Sequence, residues 1–196
     1  TLEFVYSDVD INNLLSEFER MMQPRAMKDV KVQFEQRVAE CYVSLPKNRL
    51  MQVLTNLTTN AIKFTTEGSI RFGYTREHEK WLHFYVTDTG CGIAKELQKK
   101  IFERFVKLNA FAQGTGLGLS ICQMIIDHLG GEIGVESVEG KGTTFWFTFP
   151  CSPAQKPEKH LHKFEKKKVE KDKLIVLIAE DNVGNFKLFE SILKHE

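Results

Sequence analysis

The chain has no long apolar run. Although 42% of its 196 residues are hydrophobic, no stretch approaches the ~20 consecutive apolar residues that a membrane-spanning helix needs. The first residues, "TLEFVYSDVD", carry charges where a secretory leader would be apolar. We therefore expect a cytoplasmic protein segment with no membrane contact of its own.

Cysteines are few and scattered. Cys41, Cys91, Cys122 and Cys151 form no CxxC pair, so neither a structural zinc site nor a disulfide framework is indicated. Such spacing is typical of reduced thiols in the cytosol.

A strong charge of either sign is also missing. Lys and Arg total 27 and Asp and Glu 26, which gives a formal net charge of +1. This balance provides no general electrostatic attraction to nucleic acid or to an anionic membrane, and we expect no nucleic-acid partner. A charged fraction of 27% beside 42% hydrophobic residues is typical of a folded globular domain.

Composition divides the chain into three regions. Residues 1–150 alternate amphipathic and apolar segments, residues 151–173 are rich in Lys and Pro, and residues 174–196 restart with the apolar run "LIVLIAEDN". We expect a folded domain, then a charged linker or a charged solvated helix, and then an incomplete start of another domain.

Hydrophobic periodicity predicts a mixture of helices and strands in residues 1–150. The predicted helices are 8–28, 47–64, 94–100 and 117–129. The predicted strands are 30–36, 39–44, 69–75, 81–88, 132–138 and 143–149, with a hairpin turn at 76–80 and a loop at 106–116. This order favours an α+β fold with one mixed, mostly antiparallel sheet and helices on one face.

One predicted strand ends in an unexpected carboxylate. In "WLHFYVTD" the side chains of Leu82, Phe84, Val86 and Asp88 share a face, because strand side chains alternate with period two. The first three are apolar, so this face should be the core face. A carboxylate there requires a hydrogen-bond donor, since burying it unpaired is costly.

The helix predicted at 47–64 carries polar residues beside its apolar stripe. At roughly 100° per residue, Asn56, Asn60 and Lys63 lie within about 60° of one another. An amide oxygen suits Mg²⁺ and a lysine suits phosphate. The alternative is a solvated helix face with ordinary asparagines, and this segment alone does not separate the two.

Glycines precede the helix predicted at 117–129. Gly114, Gly116 and Gly118 lie just before and inside its start, where free backbone N–H groups attract phosphate. By itself this pattern also fits a flexible loop. The spacing matches neither the dinucleotide-binding fingerprint nor, at "GKGT", a P-loop.

Taken together, the segments resemble the ATP-binding catalytic domain of sensor histidine kinases. The ordered matches cover about residues 1–150 and are "NLTTNAIKFT" (56–65), "DTGCGI" (88–93), "IFERFVKLN" (101–109), "GTGLGLSI" (114–121) and "GKGTTFWFTFP" (140–150). The resemblance implies a Bergerat-type two-layer α/β sandwich with helices on one face of a mixed sheet.

The resemblance also implies roles toward ATP and Mg²⁺. Asp88 would accept a hydrogen bond from the adenine amino group, and Asn60 would hold Mg²⁺ against the phosphates. Asn56 and Lys63 would lie along the phosphate path. Other positions are implied near the purine (Gly90, Gly92, Thr143), in the lid and phosphate cradle (Gly114, Thr115, Gly116, Leu117, Gly118, Leu119, Ser120) and near the terminal phosphate (Lys107).

Asn56 separates a kinase from the hydrolysing relatives. The gyrase, mismatch-repair and chaperone ATPases of this superfamily carry a water-activating Glu there, and an amide cannot act as a general base near neutral pH. The favoured hypothesis is a kinase domain. A hydrolysing ATPase and an interaction module that has lost nucleotide turnover stay open as alternatives.

Two parts of a hybrid histidine kinase are incomplete in the sequence. No segment resembles the phosphoaccepting histidine of the dimerisation domain, so that domain is an expected partner. The tail from residue 174 resembles the start of a receiver domain, in which Glu180 and Asp181 would bind Mg²⁺ once the domain is complete. The alternative for the tail is a chance apolar strand ending in acids.

Overall fold

Eight strands and four helices make up the part of the chain that the structure describes. The structure is a computed structural model; it describes residues 3–103 and 116–155, with the backbone alone at 77 and 78. In chain order the elements are β1 (Ser7–Asp10), α1 (Ile11–Met22), a 3₁₀ turn (Gln23–Arg25), β2 (Val30–Glu35), β3 (Tyr42–Leu45), α2 (Lys47–Phe64), β4 (Gly68–His78), β5 (Trp81–Asp88), α3 (Lys95–Gln98), α4 (Gly118–His128), β6 (Ile133–Val138), β7 (Gly142–Pro150) and β8 (Ser152–Pro153).

The larger sheet has five strands in the order β2-β4-β5-β7-β6. Its first pair, β2 and β4, is parallel, and the other three pairs are antiparallel. The parallel pair is possible because α2 forms part of the long connection between the two strands. The predicted mixed, mostly antiparallel sheet is confirmed.

Helices cover one face of this sheet through their apolar stripes. In α1 the buried residues are Ile11, Leu14, Leu15, Phe18 and Met22. In α2 the predicted stripe of Leu50, Val53, Leu54, Leu57, Ala61 and Phe64 is buried except at Phe64, which is half-buried, and Thr58 is buried beside it. These spacings of three and four residues place each stripe on one side of its helix.

Aromatic rings fill the centre of the core. Phe84 on β5 contacts Phe147 and Phe149 on β7 at centroid distances of 5.1 and 6.4 Å, and Tyr74 on β4 at 5.6 Å. Leu82, Phe84 and Val86 are fully buried. The predicted core face of β5 is therefore confirmed.

The prediction of a single sheet and of a helix from residue 8 was wrong. Residues Ser7–Asp10 form β1, which pairs with β3 in a second, three-stranded sheet of order β1-β3-β8. The helix begins only at Ile11, because the Asp10 side chain accepts a hydrogen bond from the Asn13 N–H and caps α1. The strand β8, Ser152–Pro153, lies beyond the predicted domain end at residue 150.

Other differences concern element ends. The helix predicted at 94–100 is the short α3, Lys95–Gln98, and the turn predicted at 76–80 is shorter because β4 continues to His78. None of the helices in the described ranges is long and apolar enough to cross a membrane.

Replacing Phe84 by Ala should destabilise the fold by about 3–5 kcal/mol, because the change leaves a cavity among packed rings. The control variant Glu136→Ala, at an exposed position of β6, should change the free energy of unfolding by less than about 0.5 kcal/mol. Urea unfolding followed by circular dichroism measures both. A loss below about 1 kcal/mol for Phe84→Ala would contradict the central packing described here.

Candidate functional site

Asp88 is a buried carboxylate at the end of β5. It pairs with Ile70 on one neighbouring strand and Thr143 on the other, and only 6% of it is exposed. Its Oδ1 accepts a hydrogen bond of 2.9 Å from the Gly90 N–H. Burial raises the pKa of Asp88, and the backbone N–H groups of Gly90 and Thr143, which favour the charged form, only partly oppose this. The two donors therefore do not fully compensate the carboxylate.

Thr143 connects this carboxylate to a polar network on β6. Thr143 is 6% exposed, and its hydroxyl lies 3.0 Å from the Ser137 hydroxyl. Ser137 Oγ also accepts from the Ile93 N–H at 2.8 Å, and Gln98 Nε2 donates to the carbonyls of Ile93 and Ser137. These bonds fix the loop after Asp88 against β6.

Ser137 and Gln98 were not predicted from the sequence. Ser137 follows Ile133 and Val135 in strand alternation, so it is a polar residue on a core-facing position, which is the signal that identified Asp88. Gln98 gives no such signal, because its role depends on where the short helix α3 packs.

The glycines of the loop allow close contacts within the chain. A Cβ on Gly90 would overlap the Phe64 carbonyl oxygen, and one on Gly92, whose φ is +68°, would overlap the Val138 carbonyl oxygen. The backbone between them is bonded on both sides, since the Cys91 N–H donates to Phe64 O and Cys91 O accepts from the Gly140 N–H. Packing thus requires both glycines, while their predicted proximity to a purine stays a prediction.

The polar strip of α2 lies at the edge of the core. Asn56 and Asn60 are half-buried and Lys63 is exposed. The Lys63 ammonium lies 5.1 Å from the centre of the Phe64 ring. No group in the described part of the chain hydrogen-bonds the Asn60 amide, whereas Asn56 Nδ2 donates to Gly118 O at 3.4 Å and to Cys122 Sγ at 3.6 Å.

The first turn of α4 presents backbone N–H groups beside this strip. Gly116 has a φ of +71°, α4 begins at Gly118, and the Ser120 hydroxyl donates to Leu117 O at 3.0 Å. The first N–H groups of a helix have no partner within it and favour anions. Leu117, Leu119 and Ser120 are half-buried. Lys107, Gly114, Thr115, Glu180 and Asp181 lie outside the described residues.

Within residues 3–103 and 116–155, no group of three His, Cys, Asp or Glu side chains could hold a metal ion. Burial raises the pKa of the Cys122 thiol to about 12, so this cysteine stays protonated at neutral pH. A metal at this site would need ligands from a bound molecule together with a neutral oxygen such as that of Asn60.

The site extends along α2. Phe64, which contacts the Asp88 loop, and Asn56, which contacts α4, are eight residues apart, and eight helical residues span about 12 Å. A buried acceptor therefore lies at one end, an anion-attracting helix start at the other, and an uncommitted amide between them. That Asp88, Asn60, Lys63 and the start of α4 act on one ligand stays a prediction.

Comparison with known proteins shows which family this chain belongs to. Residues 46–153 match the family model of the histidine kinase-, DNA gyrase B-, and HSP90-like ATPases. The chain is 34% identical to the sensor protein EvgS of Escherichia coli over 82% of its own length and 14% of that protein. It is 38% identical to the sensor histidine kinase AruS of Pseudomonas aeruginosa over 71% of its length and 15% of that protein.

Solved structures give the same result. The structure of full-length ShkA in complex with AMPPNP superposes with a TM-score of 0.73 at 32% identity, covering 80% of this chain and 33% of ShkA. The catalytic domain of the histidine kinase ThkA superposes with a TM-score of 0.67 at 34% identity, covering 76% of this chain and 97% of that domain. The chain thus spans only 14–15% of the length of these two curated relatives and 33% of ShkA.

Gly92→Ala should destabilise the protein more than Gly140→Ala does. Both glycines have a positive φ, which costs other residues about 1–2 kcal/mol. A Cβ at Gly140 meets nothing within 4 Å, whereas one at Gly92 meets the Val138 backbone, which should add about 1–3 kcal/mol. Equal urea midpoints for the two variants would show that the close contact is absent.

Asp88→Asn should gain stability relative to wild type as the pH rises. The wild-type carboxyl has a folded-state pKa above its ordinary value of 3.8. Its burial cost is therefore absent below pH 3.8, grows as the pH rises, and is complete above the folded-state pKa. Urea unfolding of both proteins from pH 3.5 to 7.5 measures the difference, and a difference that falls with pH would contradict the assignment.

Proposed function

Because the chain belongs to the family of histidine kinase-, DNA gyrase B- and HSP90-like ATPases, and within it to the catalytic domains of sensor histidine kinases, we propose that it binds Mg·ATP and transfers the γ-phosphoryl group to a histidine of a separate dimerisation domain. The observation that carries this proposal is Asp88, a carboxylate only 6% exposed at the end of β5, whose pKa is raised by burial although the Gly90 and Thr143 N–H groups donate to it.

At the adenine end, the missing donor is the amino group of the base. This N–H would donate to the Asp88 carboxylate, which two backbone N–H groups already orient. Thr143 is held beside Asp88 by Ser137 and would contact the purine edge. Gly90 and Gly92 keep the loop close to the ends of α2 and β6 and so define the wall of the purine site.

At the phosphate end, the residues fit a magnesium ion shared with ATP. The Asn60 amide has no hydrogen-bond partner in the described part of the chain, and its carbonyl oxygen is a hard ligand of the kind that Mg²⁺ prefers. The ion, when bound, would neutralise phosphate charge. Lys63 and the first turn of α4, from Leu117 to Ser120, would add positive potential. Gly114, Thr115 and Lys107 complete this end in the proposal.

Transfer is favoured over hydrolysis by the residue at position 56. Asn56 occupies the position where the hydrolysing relatives carry Glu, and an amide cannot take a proton from water near neutral pH. The domain would hold the nucleotide in place and exclude water, so that the γ-phosphoryl group stays on ATP until the acceptor histidine binds. Neither a hydrolysing ATPase nor a module without nucleotide is favoured.

The remaining parts of the proposal concern the parent protein. We place residues 1–150 in the catalytic domain, 151–173 in a linker and 174–196 in the start of a receiver domain. In a complete receiver domain Glu180 and Asp181 would bind Mg²⁺. The histidine-bearing dimerisation domain and the receiver would be the partners, on the cytoplasmic side of the membrane if the parent is membrane-anchored.

Calorimetric titration with AMPPNP, with and without Mg²⁺, tests the proposal. Wild type should bind more tightly with Mg²⁺. Asn60→Ala should weaken binding in Mg²⁺ by about tenfold to a hundredfold, as expected for the loss of a contact to a charged group, and should abolish the effect of Mg²⁺. Asn48→Ala, an exposed asparagine in the first turn of the same helix, should bind as wild type does.

Two outcomes would contradict the proposal. One is wild-type protein that does not bind AMPPNP, or binds it equally well without Mg²⁺. The other is steady release of phosphate from ATP by the chain alone, at rates typical of enzymes of about 1 s⁻¹ or more, because that would place the domain among the hydrolysing relatives.

A further inference from the structure

The Asn56 side chain contacts α4 instead of pointing its donors into open space. Its Nδ2 lies 3.4 Å from Gly118 O and 3.6 Å from Cys122 Sγ. A side-chain amide nitrogen carries two hydrogens, so it can donate to both acceptors at once. The remaining Oδ1 is an acceptor and cannot donate a hydrogen bond to a phosphate oxygen.

From these contacts we infer that Asn56 is a positioning residue, which holds the first turn of α4 in place for the phosphates and is not itself a phosphate donor. The inference rests on the proposed nucleotide site and refines it. It replaces the role that the resemblance implied for Asn56, while Asn60, one turn further along α2, keeps an uncommitted amide for the ligand.

The first turn of α4 is weakly held by its own sequence. The residue before it, Leu117, provides no side-chain cap, although a capping oxygen normally stabilises such a start. Gly116 and Gly118 give the backbone additional freedom. The hydrogen bond from the Ser120 hydroxyl to Leu117 O lies within the turn and does not attach it to the rest of the protein.

Asn56 supplies an attachment from outside the helix. The two acceptors, Gly118 O and Cys122 Sγ, lie one turn apart, so a single amide binds consecutive turns of α4. Cys122 is fully buried, and its Sγ also lies 4.0 Å from the Val53 carbonyl oxygen on α2. The amide therefore fixes the position of the N–H groups of α4 relative to Asn60, which lies on the same helix as Asn56.

Hydrogen–deuterium exchange of the ligand-free chain tests this directly. Asn56→Asp keeps the shape of the side chain but places oxygens opposite both acceptors. The Ile121 N–H, which donates to Leu117 O, and its neighbour at Cys122 should exchange several-fold faster than in wild type. The matched variant Asn60→Asp, one turn away, should leave the exchange of these amides unchanged.

Binding of AMPPNP provides the second readout. Asn56→Asp and Asn56→Ala should both weaken binding by about tenfold, which is the effect of losing one ordinary hydrogen bond. Binding by both variants should still depend on Mg²⁺.

Each other outcome overturns the inference. Weaker binding with unchanged exchange in both Asn56 variants would make Asn56 a direct ligand. Faster exchange with unchanged affinity would reduce the contact to a purely structural one. Wild-type protein that fails to bind AMPPNP would remove the proposed function and, with it, the phosphate role, and that failure is visible before any variant is compared.

Discussion

The burial of one carboxylate determines how this site is built. Asp88 occupies a core-facing position at the end of β5, 6% exposed, and burial raises its pKa despite two backbone donors. Burying an incompletely satisfied charge lowers stability, so a ligand donor that reaches Asp88 would offset part of this cost. In the proposed function that donor is the adenine amino group, which would link the burial of Asp88 to selectivity for the base.

The surrounding structure keeps that carboxylate in position. Gly90 and Gly92 let the loop lie against the backbone of α2 and β6, and Ser137, Thr143 and Gln98 bond it from the other side. The helix α2 then connects the two ends of the site, since it contacts the loop at Phe64 and α4 at Asn56. Because both ends contact the same helix, a base bound at Asp88, as proposed, would bring its phosphates toward the start of α4.

Local periodicity was enough to predict the features that repeat within one element. The core face of β5, including Asp88, and the buried stripe of α2 follow from periods of two and 3.6 residues. The second sheet was missed because β1, β3 and β8 are two to four residues long and are defined by pairing with distant segments. The orientation of Asn56 could not be predicted either, since two acceptors on another helix determine it and the sequence shows only that the amide lies near the core.

The most direct test of the central claim is to remove the proposed donor from the ligand. Binding of ATP should be compared with that of purine riboside triphosphate, which lacks the 6-amino group, by titration calorimetry in Mg²⁺. The analogue should bind about tenfold to a hundredfold more weakly, the range expected for a hydrogen bond to a charged, buried group, and Asp88→Asn should narrow this difference in affinity. Equal affinities of wild type for the two nucleotides would show that Asp88 does not receive its missing donor from adenine.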